Sequence, residues 1–109
     1  MKRKLLAFLV VAALVLAAVP VALAAVGVTG KEFKFTLTTK TVRHGKVTFK
    51  FTNKGRLKHD FKIAGKKTPL IGPSKSASIT VTLKRGTYTY ICTVPGHAAA
   101  GMKGKLKVT

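Results

Sequence analysis

Cys92, His97 and Met102 stand five residues apart in the stretch CTVPGHAAAGM, which runs from residue 92 to residue 102. The 109-residue chain has one cysteine, three histidines and, besides the initiator, one methionine, so this short loop gathers much of its metal-binding chemistry. Thiolate, imidazole and thioether are soft or borderline donors. Together they suit copper, whose electron-transfer sites take two imidazoles, one thiolate and a weak axial thioether. The same residues could serve a second chemistry, with Cys92 as nucleophile and His97 as its base. A lone cysteine excludes a disulfide within the chain, and a free thiol in an oxidising compartment is a liability unless a metal or a reaction uses it.

A copper site of that kind needs one more imidazole. His44 lies in Val42-Arg43-His44-Gly45, a turn flanked by charge, and reads as solvated. His59 is in register with Leu57, Phe61 and Ile63 on the inward face of its run. A lone histidine at such a position is ordinarily a core residue satisfied by a backbone carbonyl. Here a three-donor loop lacks one imidazole, and His59 can supply it.

The elements that must position these residues read as strands. Glu32 to Leu37 alternates with Phe33, Phe35 and Leu37 on one face, and Lys46 to Thr52 does so with Val47, Phe49 and Phe51. Asn53-Lys54-Gly55 marks a turn, and Leu57 to Ile63 follows as the run that carries His59. Ser78 to Leu83 presents Ile79, Val81 and Leu83; Thr87 to Cys92 and Gly104 to Val108 complete the set. Gly65 to Ser76, with Pro69, Gly72 and Pro73, reads as one longer connection. This spacing predicts an antiparallel sandwich or barrel. Lys34, Lys46, Lys50, Lys58, Lys62, Lys105 and Lys107 take outward positions, which suits a solvated face and protected sheet edges.

The first 24 residues have another character. Met1-Lys2-Arg3-Lys4 is basic, Leu5 to Val19 is wholly apolar, and Pro20 precedes Ala22-Leu23-Ala24, a small-x-small cleavage signal. Residues 1–24 are therefore expected to be a secretory signal peptide. An uncleaved anchor is the alternative, since the charge-free stretch reaches Val28 and a spanning helix needs about 20 residues. Either way the remainder is placed outside the cytoplasm, in the periplasm or at the cell exterior. Residues 25–109 suffice for one small domain, of a size at which a bound metal often contributes stability. Three of the 21 Lys and Arg lie in the first four residues, leaving 18 against Glu32 and Asp60, a net charge of +16. That field favours anionic partners. Nucleic acid is disfavoured, because the domain is exported and shows no basic-aromatic motif.

The chain resembles the cupredoxins, the small blue copper proteins of the plastocyanin, azurin and auracyanin kind. Gly45-Lys46-Val47-Thr48-Phe49, Asn53-Lys54-Gly55, His59-Asp60-Phe61, Gly86-Thr87-Tyr88-Thr89-Tyr90, Cys92-Thr93-Val94-Pro95-Gly96-His97 and Gly101-Met102-Lys103-Gly104 fall in the family's order. The Cys-to-His spacing is more like auracyanin than plastocyanin. The resemblance implies an all-β, Greek-key β-sandwich of about seven to eight strands. It implies one copper, cycling between Cu(I) and Cu(II), held by His59, Cys92, His97 and, weakly, Met102. It implies that Asp60 and Thr93 hydrogen-bond across the two ligand segments, and that Val94, Pro95, Gly96, Ala98 and Ala99 form a docking patch around His97.

The expected function is that of an exported one-electron carrier between redox partners and not an enzyme. The expected partner is a redox protein with an acidic docking face, and an anionic membrane surface is a second candidate. The chain itself is expected to be monomeric. Copper storage, delivery or resistance is the alternative, although such proteins usually display more Met and His donors. A Cys-His hydrolase leaves Met102 and His59 unexplained. A structural zinc site would make unusual use of a thioether, and a metal-free basic adhesin would make the donor pattern a coincidence.

Overall fold

The computed structural model describes residues 24–109, so the expected signal peptide, apart from Ala24, lies outside the described residues. Nine strands follow in chain order: β1 (Ala24–Lys31), β2 (Lys34–Leu37), β3 (Thr41–Val42), β4 (Gly45–Asn53), β5 (Lys62–Ile63), β6 (Lys66–Lys67), β7 (Ser76–Leu83), β8 (Gly86–Ile91) and β9 (Lys103–Val108). They form two sheets, ordered β2-β1-β4-β7 and β3-β9-β8-β5-β6. The chain passes repeatedly from one sheet to the other, and the result is a β-sandwich.

Alternation builds the layer between the sheets. Val47, Phe49 and Phe51 of β4 are fully buried, and so are Phe61, Ile63 and Leu106. Phe35 stands edge-on to Phe51, Phe61 and Tyr90, with ring centroids 5.7, 5.3 and 5.8 Å away. Such aromatic pairs add to what burial contributes. All seven lysines assigned outward positions are exposed.

The sandwich departs from simple antiparallel pairing. β1 runs parallel to β4, with Val26 opposite Phe49 and Val28 opposite Phe51, and β3 runs parallel to β9. The count exceeds seven to eight because β1 precedes the first expected strand and two-residue pieces, β3 and β6, add short pairings. The run through His59 is no continuous strand: His59 makes an isolated bridge to Ile71, and regular pairing begins only at Lys62. Ile71 and β6 therefore give structure to the stretch read as a plain connection.

Two residues expected to face inward do not. Phe33 is 37% exposed and Leu57 is 47% exposed. Strand alternation holds only where a ladder imposes it. Lys31 pairs with Lys34, so Glu32 and Phe33 form the two-residue turn of a hairpin, and Leu57 lies in the unpaired segment that leaves β4.

Candidate metal centre

The site is assembled at one end of the sandwich from two chain segments. Cys92, His97 and Met102 lie on the loop from β8 into β9, and His59 comes from the segment between β4 and β5. The loop is a closed ring: the Cys92 amide donates to the Met102 carbonyl at 3.1 Å, and the Met102 amide donates to the His97 carbonyl at 3.0 Å. Between these bonds the chain makes helical turns, with the Ala100 amide donating to the Gly96 carbonyl at 3.1 Å. Gly96 and Gly101 have φ of 85° and 122°, values that a side chain disfavours. The His59 segment is held as firmly. Its backbone exchanges two bonds with Ile71, of 3.1 and 2.9 Å. The buried Asn53 amide donates to the carbonyls of Leu57 and Ile71 at 2.8 and 2.9 Å, and its Oδ1 accepts from Gly55 N at 2.8 Å.

These frames bring His59, Cys92 and His97 together. The two Nδ1 atoms are 3.0 Å apart, and Cys92 Sγ lies 3.8 Å from His59 Nδ1 and 3.6 Å from His97 Nδ1. A cation bound by two imidazoles at about 2 Å and a thiolate at about 2.3 Å would have donor-to-donor edges of about 3.5 Å in a trigonal plane. The observed triangle matches that size, so the residues present fit the metal. Among the described residues this is the one such donor cluster. Met102 is fully buried in the same core. His44 is not brought to the site. It is exposed at the far end of β4, with Nδ1 3.0 Å from the Thr109 carbonyl.

Asp60 and Thr93 join the two ligand segments. Thr93 N donates to Asp60 Oδ1 at 2.7 Å, and the Thr93 hydroxyl donates to Oδ2 at 2.5 Å. Burial pushes the Cys92 thiol above its ordinary pKa, which the backbone bonds around it only partly offset. A bound divalent metal reverses that preference, because a coordinating thiol is deprotonated.

Sequence reasoning missed two residues here. Glu32 Oε2 is 2.7 Å from His59 Nε2, and Oε1 accepts from Arg56 N at 2.6 Å. The bond to His59, and then that to Arg56, hold the Glu32 carboxyl down at about 2. Phe33, its neighbour in the turn, stands edge-on to the His97 ring at 5.0 Å. One signal in the sequence could have singled out Glu32: acids are so scarce in this chain that each is a candidate for a specific task.

A sequence model of the copper binding proteins, plastocyanin/azurin family, matches residues 22–109. Auracyanin-B of Chloroflexus aurantiacus is 54% identical over 43 residues, which is 38% of this chain but only 18% of that protein. The structure of dithionite-reduced auracyanin from Roseiflexus castenholzii superposes with a TM-score of 0.70 at 26% identity, covering 79% of this chain and 97% of that one. Auracyanin A, a blue copper protein of Chloroflexus aurantiacus, also gives 0.70, at 27% identity, over 81% of this chain and all of its own.

Proposed function

The chain belongs to the plastocyanin/azurin family of copper-binding proteins, and from that premise we propose that it is an exported one-electron carrier that shuttles between redox partners and catalyses no reaction of its own. The convergence of His59 Nδ1, Cys92 Sγ and His97 Nδ1 on one buried point carries this reading. Copper bound there supplies a one-electron couple between Cu(II) and Cu(I). The protein's part is to hold the donors still. Backbone bonds close the loop on one side, and Asn53 and Ile71 clamp the His59 segment on the other. Donors fixed in this way have little room to rearrange when the charge at the centre changes.

His97 is the electron's proposed route to the surface. It is 9% exposed, whereas His59 and Met102 are fully buried and Cys92 nearly so. Pro95, Gly96 and Ala99 are exposed around it, Val94 and Ala98 are half-buried, and Phe33 covers one edge of its ring. This small apolar patch suits brief docking. A cationic row lies beside it: Lys103, next to Met102, pairs with Ile91, Ile91 with Lys62, and Lys62 with Lys67, so the three lysines share the outer face of the second sheet. An acidic face on the redox partner would complement that row.

The test is the visible spectrum of the copper-loaded domain before and after ascorbate. We expect an intense thiolate-to-copper band that bleaches on reduction and is absent in Cys92→Ser. A protein that binds copper without colour would favour storage or delivery. One that binds none would return Cys92 and His97 to thiol chemistry.

A further inference from the structure

The chain carries two acidic side chains against a large excess of cations, and one of them is spent on a copper-ligand histidine. We propose that Glu32 is a positioning residue of the metal centre: its carboxylate holds the His59 ring with Nε2 protonated and Nδ1 facing the metal, and its negative charge biases the site towards the oxidised ion.

The geometry is built for this task. His59 is fully buried, and its Nε2 meets Glu32 Oε2 at 2.7 Å. The other oxygen is engaged by Arg56 N at 2.6 Å, so the carboxylate cannot swing away without losing a second bond. Gly55 makes the room, because a Cβ there would collide with the carboxylate. A ligating imidazole that donates its second N–H to an acceptor is fixed in tautomer and made more basic. A charged acceptor does this more strongly than a neutral one. Because both Glu32 oxygens accept, glutamine cannot replace it: its single oxygen satisfies one donor and its amide opposes the other.

The metal-bound half of the inference rests on the copper reading; the hold on the ring is a property of the chain alone, and the experiment separates them. In metal-free protein at alkaline pH, the ¹⁵N signals of His59 should report one tautomer, with Nε2 protonated, and Glu32→Ala should show a mixture. In copper-loaded protein, Glu32→Gln should bind Cu(II) about 10–100-fold more weakly. Cu(I) should suffer less, and the reduction potential should rise by about 59 mV for each tenfold difference. Gly55→Ala should weaken Cu(II) binding in the same direction, and should add nothing once Glu32 is alanine. Melting of the metal-free forms checks folding, and the Gly55→Ala pair carries the test if Glu32→Gln does not fold. Unchanged potential and affinity in Glu32→Gln, or the same single tautomer in Glu32→Ala, would overturn the proposal. If the wild type takes up no copper, the carrier reading fails, and the tautomer comparison still decides what Glu32 does to His59.

Discussion

Asp60 shows what one buried carboxylate does when both its oxygens are used. It is 3% exposed and accepts from the backbone and the hydroxyl of Thr93, so it joins the residue after His59 to the residue after Cys92. Asp60→Ala leaves two donors without partners beside the site, at a cost of about 1–3 kcal/mol. We expect the variant to melt earlier, to lose copper to a chelator faster than the wild type, and to shift in potential. An unchanged rate of copper loss would show that the ligand loop holds its place without this tie. Asp60 and Thr93 could be singled out from the chain because they adjoin ligands in sequence. Glu32 is 27 residues from His59, and no local pattern connects them.

At the scale of elements, the β1–β2 hairpin matters most. Its two turn residues touch two ligands, Glu32 at His59 and Phe33 at His97. Their alternation with Phe35 and Leu37 made them look like strand. The pairing of Lys31 with Lys34 makes them a turn aimed at the site. The strand that feeds this turn is tightly packed: a Cβ on Gly30 would lie 2.6 Å from Phe51 Cε1 and 3.1 Å from Met102 Cε. Gly30→Ala is therefore expected to cost about 1–3 kcal/mol through overpacking. For a domain of this size each kcal/mol lowers Tm by about 4–8 °C. The copper spectrum should change as well, because Met102 is one of the atoms displaced. A destabilised domain with an unaltered spectrum would place the strain on Phe51 alone.

Charge belongs to the molecule as a whole. With +16 on residues 25–109, encounter with the proposed acidic redox partner should be fast in dilute buffer and slow as salt is added. Screening sets in over about 10 Å at 0.1 M ionic strength. Lys62→Glu and Lys103→Glu should each lower the association rate and flatten its salt dependence, with the absorption band unchanged, because neither side chain enters the donor cluster. Lys46, on the other sheet, serves as the control. Equal losses from all three would mean that net charge, and not the row beside the metal, guides docking.

Alternation made the all-β class and the core face of β4 legible in the sequence, and donor chemistry did the same for the loop of Cys92, His97 and Met102, because both are local properties. The resemblance to the cupredoxins supplied the Greek-key sandwich and the full ligand set with His59. Alternation also allowed the lysines to be placed outward. Tertiary structure decided what depends on distance along the chain: the parallel pairing of β1 with β4, the bridge from His59 to Ile71, the outward turn of Phe33 and Leu57, and the meeting of Glu32 with His59. The pairing, the bridge and the Glu32–His59 bond each require two separate segments to share one small volume, and only the closed sandwich selects which segments meet. Phe33 and Leu57 turn outward because no ladder holds them in alternation.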